Sequence, residues 1–197
     1  MIYSTLRGLS NWYFGSTDFK RWADLRNHNP EWDNRTKVIA GLIPPRSRVI
    51  EFGAGRLQLR KYLDPSCSYF PSDLISRSPD TIVCDLNARP LPDLGKLRLD
   101  VAVLGGVLEY VRDLPPLIQW LSSQVSTCIV SYECAASAPK SLRRIFESAT
   151  RARNGWLNAY TEEELKALFH GFIVTNGCGF HDKDGDGRIF VFSKQHP

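Results

Sequence analysis

The chain has 197 residues, a length that suits one domain with enough core to fold alone. Its apolar fraction of 43% and charged fraction of 23% are ordinary for a globular protein, and its net charge of +4 is mild. No apolar run approaches the ~20 residues that a membrane-spanning helix needs, and Met1–Ser10 lacks the apolar core of a signal peptide. We therefore expect a cytoplasmic protein without a membrane segment.

The N-terminal segment differs from the rest because it crowds aromatic side chains into a polar, weakly periodic stretch. These side chains are Trp12, Tyr13, Phe14, Trp22 and Trp32. We predict an N-terminal helical cap over residues 1–47 and a second unit over residues 48–197. The cap either buries its aromatic residues on the main domain or forms a lid over a binding cleft, and the two roles are compatible.

The segment Arg48–Arg56 is typical of a strand followed by a tight turn. An apolar run ends in Glu51, and Gly53 and Gly55 come before a helix predicted over Leu57–Leu63. Glycines let the backbone approach a ligand closely, and the start of a helix directs free N–H groups towards it. A carboxylate at this turn favours a ligand with a positive centre, such as a sulfonium or an ammonium, over a pyrophosphate.

Strands and helices alternate along the chain after this turn. The predicted strands are Arg48–Phe52, Ser68–Ser72, Thr81–Cys84, Leu99–Leu104 and Thr127–Tyr132. Predicted helices follow a cap at Asp113, span Ser141–Thr150, and follow a capping box at Thr161 and Glu164. The last two strands, Phe172–Thr175 and Arg188–Phe192, predict an antiparallel pair. The fold class is therefore α/β, with a mostly parallel sheet and helices on both faces.

Three acidic residues follow successive strands of this sheet. Glu51 ends the first strand, Asp73 the second and Asp85 the third. An acid in the place of Asp73 can accept both hydroxyls of a ribose, and Asp85 can accept from an exocyclic amine while Leu86 lies against a purine. Each acid could instead be a turn former or helix cap. Because ligands bind beyond the carboxyl ends of such strands, three acids in order favour one elongated ligand.

These residues resemble the motifs of the class I S-adenosylmethionine-dependent methyltransferases, in the branch that acts on small molecules. Glu51-Phe52-Gly53-Ala54-Gly55 is similar to the family's first motif, and the segment Leu99–Val111 resembles its fourth strand and following loop. The likeness covers roughly Arg48 to Phe192 and implies a Rossmann-like, seven-stranded sheet. In one departure, Leu57 stands where the family has a third glycine.

The resemblance implies S-adenosyl-L-methionine as the cofactor and methyl transfer to oxygen or nitrogen of a small-molecule acceptor. The residues that it implies for cofactor binding are Glu51, Gly53, Ala54, Gly55, Asp73, Leu74, Asp85, Leu86 and Gly105. Arg35 is a candidate for binding the carboxylate of the cofactor, by charge alone. No motif marks a base, and the candidates for it are Tyr13, Tyr132, Glu133 and His181.

Two alternative functions remain open. The absent base and Leu57 would also suit a catalytically inactive binding or regulatory protein with the methyltransferase fold. A nucleotide-sugar or NAD-linked enzyme would need ligand phosphates over the glycine turn.

Other classes of partner are disfavoured. The basic residues Arg143, Arg144, Arg151 and Arg153 favour a solvated helix face over a nucleic-acid site, and no Asn-Pro-Pro-Tyr type motif is present. The Asp182–Gly187 loop imitates a calcium loop, but Ser193 stands where glutamate is needed, so a hairpin loop is favoured. The scattered cysteines and histidines predict reduced thiols and no metal site. The sequence contains no indication of the oligomeric state.

Overall fold

The computed structural model describes residues 17–30, 32–135, 151, 154–179 and 187–194. They contain a seven-stranded sheet in the order β3-β2-β1-β4-β5-β7-β6. Its strands are β1 (Arg48–Phe52), β2 (Ser68–Asp73), β3 (Ile82–Val83), β4 (Val101–Gly105), β5 (Thr127–Glu133), β6 (Phe172–Gly179) and β7 (Gly187–Lys194). The first five strands pair in parallel, whereas β7 is antiparallel to both β5 and β6. The predicted fold class is confirmed.

The helices precede or connect these strands. They are α1 (Phe19–Ala23), α2 (Trp32–Gly41), α3 (Leu59–Tyr62), α4 (Leu114–Gln124) and α5 (Glu162–Leu168), with short 3-10 turns at Leu25–Asn27, Gly95–Leu97 and Leu108–Tyr110. The predicted capping box of Thr161 and Glu164 is present at the start of α5. The helix predicted over Ser141–Thr150 lies outside the described residues.

Three local predictions need correction. The helix expected from Leu57 begins only at Leu59, because Leu57 has a φ of 58° and cannot join a right-handed helix. Asp113 precedes α4 but its side chain makes no capping hydrogen bond. The strand predicted over Thr81–Cys84 shrinks to the two residues of β3. Because β3 pairs only with Ser72 and Asp73, the preceding residues of β2, including Pro71, have no outer strand partner among the described residues.

The two faces of the sheet bury separate apolar clusters, as expected for strands covered on both sides. On one face, Val49, Val101 and Val103 pack with Ile39 and Ile43 from and just after α2. On the other face, a larger cluster joins the alternate strand residues to α4 and α5, and it includes Ile50, Leu104, Leu117, Leu121 and Phe169. Both faces of the sheet are therefore packed against helices, and the loops at its carboxyl edge line the candidate site. None of the helices in the described ranges has the length and apolar character needed to cross a bilayer.

Candidate active site

A cavity of about 470 Å³ lies at the carboxyl edge of the central strands. It lies where β1 has β2 on one side and β4 on the other, which is the point where the strand order reverses. All nine residues predicted to bind the cofactor line it, namely Glu51, Gly53, Ala54, Gly55, Asp73, Leu74, Asp85, Leu86 and Gly105. Tyr132 and Glu133 also line it, whereas Tyr13 and His181 lie outside the described residues.

The glycine turn leaves no room for side chains. Gly53 has a φ of 70° and Gly55 a φ of 48°, both in the left-handed region that favours glycine. A Cβ added to Gly53 would lie 2.6 Å from Val107 Cγ2, and one added to Gly55 would lie 2.5 Å from His28 Cε1. The turn is also tied to β2, because the Gly55 N–H donates to Asp73 Oδ2 at 2.8 Å. It therefore forms a tight cradle that accommodates the side chains of Val107 and His28 and also lines the cavity.

Asp73 is held at the end of β2 by a buried arginine that no sequence motif marked. Asp73 is 5% exposed, and its Oδ1 lies 3.3 Å from Nη2 of Arg77, whose side chain is 7% exposed. Arg77 also donates to the carbonyl oxygens of Trp22 and Ala23. Asp73 is thus fixed in place, and the cavity carries a cation beside it.

Asp85 faces the N-terminal segment. Its Oδ1 accepts from Thr17 Oγ1 and from the N–H of Asn87, both at 2.9 Å. The neighbouring Leu86 is buried at 7% exposure and supplies an apolar surface beside the carboxylate. This pairing of a carboxylate with an apolar contact can bind a heterocycle that carries an amine.

Glu51 is the carboxylate at the centre of the cavity wall. Burial raises its pKa to about 8, while a hydrogen bond donated by Tyr69 and the charge of Arg35 act in the opposite direction. Arg35 Nη2 donates to the carbonyl of Gly105 at 3.1 Å. A Cβ on Gly106, which has a φ of 68°, would lie 2.7 Å from Arg35 Nη1. A cation and a carboxylate therefore flank the end of β4, as a zwitterionic ligand requires.

Three aromatic side chains form one wall of the cavity, namely Trp22, Tyr110 and Trp156. The rings of Trp22 and Tyr110 lie 4.9 Å apart, and Trp156 Nε1 donates to the Tyr110 hydroxyl at 3.0 Å. Arg21 Nη1 donates to the carbonyl of Asn154 at 2.6 Å, which links α1 to this wall. Flat apolar molecules suit such a surface.

Glu109 is a further carboxyl group in the lining of the cavity. It is 4% exposed, and its Oε1 accepts from the N–H of Glu133 at 2.9 Å. Its Oε2 is buried and has no hydrogen-bond partner among the residues that the structure describes. Burial raises the pKa of the Glu109 carboxyl. A carboxylate whose pKa is raised is a stronger base than one in water, and it can accept a proton from a bound acceptor.

Tyr132 is built into the fold. Its hydroxyl donates to Asn158 Oδ1 at 2.5 Å and accepts from the N–H of Tyr160 at 2.9 Å. Burial raises its pKa above the ordinary value. Asn158 in turn donates to the carbonyls of Leu108 and Val111. The Tyr132 hydroxyl therefore holds the loop that carries Glu109, and this geometry argues against its acting as a base.

Comparisons with known proteins agree with this arrangement. The family model described as "Methyltransferase domain" matches residues 14–172 of the chain. A search of curated protein sequences finds no match.

The chain also resembles solved methyltransferase structures. Magnesium protoporphyrin IX methyltransferase from Synechocystis PCC 6803, with bound SAH, is 18% identical at a TM-score of 0.63, covering 95% of this chain and 98% of that one. Mitomycin 7-O-methyltransferase is 14% identical at a TM-score of 0.66, covering 98% and 68%. Human N-acetylserotonin methyltransferase, in complex with SAM, is 14% identical at a TM-score of 0.61, covering 89% and 56%. At these identities the solved structures establish the shared fold.

This chain therefore spans only about half to two thirds of the mitomycin and human enzymes. The family match extends over most of its length. The chain belongs to the methyltransferase domain family, the S-adenosylmethionine-dependent class that its sequence motifs predicted.

Proposed function

We propose that the chain methylates oxygen or nitrogen of a small-molecule acceptor. The observation that carries the proposal is a single cavity lined both by Glu51, Asp73 and Asp85 and by an aromatic wall with Glu109. The three acids suit the donor, and the aromatic wall with Glu109 suits an acceptor of modest size. The magnesium protoporphyrin, mitomycin and N-acetylserotonin enzymes named above support a small-molecule acceptor by analogy of fold.

The residues of the cavity fit S-adenosylmethionine part by part. Glu51 would bind the ammonium group, Asp73 the ribose hydroxyls, and Asp85 with Leu86 the adenine. Gly53 and Gly55 of the cradle line the same cavity, where their backbone would lie against the cofactor. Arg35, beside Glu51, would bind the carboxylate of the cofactor. When bound, the cofactor supplies an electrophilic methyl group, so the protein's task is chiefly to position the acceptor.

Glu109 would receive the proton of the acceptor. Its carboxylate would take up the proton that an O–H or N–H acceptor releases when it is methylated. Glu133, which also lines the cavity, is the second candidate, since it is less buried. Glu109 follows β4 and Glu133 is the last residue of the neighbouring β5, so both can reach a molecule that lies against the aromatic wall.

Residues 17–28, which belong to the proposed cap of residues 1–47, would form a lid over the cavity. Thr17 is bonded to Asp85, and Arg77 is bonded to the carbonyl of Trp22. Arg56 donates to the carbonyl of Leu25 at 2.7 Å. The segment thus touches the ends of the cavity walls that carry the cofactor residues. Entry of the cofactor would require these contacts to open.

The test is calorimetric titration of the protein with S-adenosylhomocysteine. We expect binding that Asp73→Asn weakens at least ten-fold, because the ribose and the Gly55 N–H lose a charged acceptor. Asp93→Asn is the matched control, since Asp93 is exposed and lies away from the cavity. No binding at millimolar ligand would refute the proposal, and competition by NAD instead would favour a nucleotide-linked enzyme.

A regulatory protein with the same fold is the second candidate. It is favoured by Leu57, a non-glycine residue at a φ of 58° next to the cradle. Binding of S-adenosylhomocysteine without turnover of hydroxylated and amine acceptors would support it.

A further inference from the structure

Glu51 shares its face of the sheet with a tyrosine that no motif marks. Glu51 and Val49 are two residues apart on β1 and so point to the same face. Tyr69 on β2 is the register partner of Val49 and lies on that face too. From this diagonal position its hydroxyl donates to Glu51 Oε2.

Two elements packed around Glu51, β2 and α2, bring three titratable or charged groups to its carboxylate. Within the part of the chain that the structure describes, these groups are Tyr69 from β2, Arg35 from α2 and the Asp73 carboxylate at the end of β2. Arg35 favours the charged form of Glu51, whereas Asp73 and burial oppose it. Tyr69 makes a direct hydrogen bond to it.

Tyr69 is itself held in place and held protonated. The guanidinium of Arg60, on α3, lies 5.0 Å from the centre of the Tyr69 ring and pairs with Asp80. Burial and the nearby Glu51 raise the pKa of Tyr69 well above its ordinary value. The phenol therefore stays protonated at neutral pH, and in this pair it acts as the donor.

We propose that Tyr69 is a positioning residue for cofactor binding, whose donated hydrogen bond fixes the Glu51 carboxylate and favours its charged form. The inference rests on the proposed function, in which Glu51 binds the ammonium group. A hydrogen bond donated to a buried carboxylate stabilises the ionised state. The charged form is also the one that attracts an ammonium group. Tyr69 thus acts on the cofactor through Glu51 without itself lining the cavity.

The experiment is titration with S-adenosylhomocysteine from pH 6 to 9.5, comparing the wild type with Tyr69→Phe. We expect wild-type affinity to rise with pH as Glu51 ionises. The variant should bind about ten-fold more weakly at pH 7, with the midpoint of the rise about one pH unit higher. The ligand's own titration cancels in the comparison. The control is Tyr62→Phe, which removes a tyrosine hydroxyl bonded to Asp33.

A double-mutant cycle separates this role from simple packing. If Tyr69 acts through Glu51, then Tyr69→Phe should have no further effect on affinity once Glu51→Gln is present. Should Tyr69→Phe not fold, 3-fluorotyrosine at position 69 keeps the shape and strengthens the donor, and it should move the midpoint downwards. Unchanged or tighter binding by the Phe variant, an unmoved midpoint with 3-fluorotyrosine, or additive effects in the cycle would each overturn the inference. Failure of the wild type to bind would instead refute the proposed function.

Discussion

At the scale of single residues, Arg35 and Gly106 depend on each other. The guanidinium of Arg35 lies where a side chain on Gly106 would begin. Gly106 also needs its positive φ, which other residues adopt at a cost. The glycine directly after β4 is therefore explained by an arginine from α2, about 70 residues earlier in the chain.

We predict that Gly106→Ala displaces Arg35 and weakens binding of S-adenosylhomocysteine about ten-fold, the size expected for losing one charged contact. It should also lower the free energy of unfolding by about 1 kcal/mol, because alanine is strained at this φ. Gly41→Ala is the control, since an added Cβ there meets nothing within 4 Å. Calorimetry and denaturant unfolding give the two readouts, and intact binding by Gly106→Ala would contradict a role for Arg35.

Leu57 carries backbone strain at a φ of 58°. A leucine in the left-handed region costs roughly 1–2 kcal/mol, whereas glycine adopts that conformation freely. We predict that Leu57→Gly raises the free energy of unfolding by about 1 kcal/mol, measured by urea denaturation, and leaves binding of S-adenosylhomocysteine intact. Leu63→Gly should destabilise the protein, since Leu63 has an ordinary φ of −65°. A less stable Leu57→Gly variant would show that the packing of Leu57 outweighs its strain.

The sequence predicts which residues line the cavity where acids end the strands, but it does not do so where distant segments of the chain meet. Glu51, Asp73 and Asp85 can be recognised because each follows an apolar run. Nothing in the sequence around Tyr69 or Arg77 distinguishes them from surface residues. Their roles depend on the register of β1 with β2 and on contacts with residues 17–28, which only the folded chain sets.

At the scale of elements, the loop after β4 is irregular in conformation yet firmly tied. Asn158 donates to the carbonyls of Leu108 and Val111, and the Leu157 N–H donates to the carbonyl of Glu109 at 2.7 Å. These bonds hold the loop in place without a long helix. Because they come from the segment before α5, the wall of the cavity that includes Glu109, Trp156 and Leu157 is assembled from that segment and the loop together.

We predict that Glu109→Gln leaves the affinity for S-adenosylhomocysteine within about two-fold and lowers turnover of an O–H acceptor at least 100-fold, the usual contribution of a general base. Glutamine keeps the volume and the hydrogen bond from Glu133, so the loop should hold its place. Glu133→Gln is the matched variant and should lose less activity. A larger loss of turnover in Glu133→Gln than in Glu109→Gln would identify Glu133 as the base.

The sequence predicts strands well where both faces of the sheet are buried, because such strands are apolar along most of their length, as in β1, β4 and β5. Their observed bounds lie within two residues of those expected. The short β3 and the late start of α3 were not predictable, because a two-residue pairing and a single left-handed residue leave no periodic signal. The extent of β6 was also missed, since pairing with β7 sustains it through Asn176 and the glycines that follow.

At the scale of the whole molecule, the site exists because the sheet brings distant strand ends together. Glu51 and Asp73 are close because β1 and β2 are neighbours, and Glu109 joins them because β4 pairs with β1 on the other side. The charge buried at this edge opposes folding, since burial raises the pKa of both Glu51 and Glu109. A binding site built from buried carboxyl groups should therefore make stability depend on pH.

We predict that the free energy of unfolding of the ligand-free protein falls as the pH rises from 6.5 to 8. The pKa of Glu51 is about 8 in the folded protein and close to its ordinary value of 4.5 in the unfolded chain, so in this range the folded state holds more protons. The contribution of Glu51 to the free energy of unfolding is fully present below about pH 4.5 and is lost as the pH rises through about 8. His28, whose pKa is lowered by burial, acts in the opposite sense and mainly below pH 6.5, which is why the range begins there.

Glu51→Gln isolates this effect, because glutamine is similar in size and does not titrate. The wild type should lose on the order of 2 kcal/mol more than the variant between pH 6.5 and 8, as a pKa shift of one unit is worth about 1.4 kcal/mol. Urea denaturation at the two pH values measures the difference, with Asp93→Asn as a control for an exposed carboxylate. Parallel pH profiles for the wild type and Glu51→Gln would mean that Glu51 is already ionised in the free protein. The cofactor would then meet a charged carboxylate at every pH in this range, and its affinity would not depend on proton release.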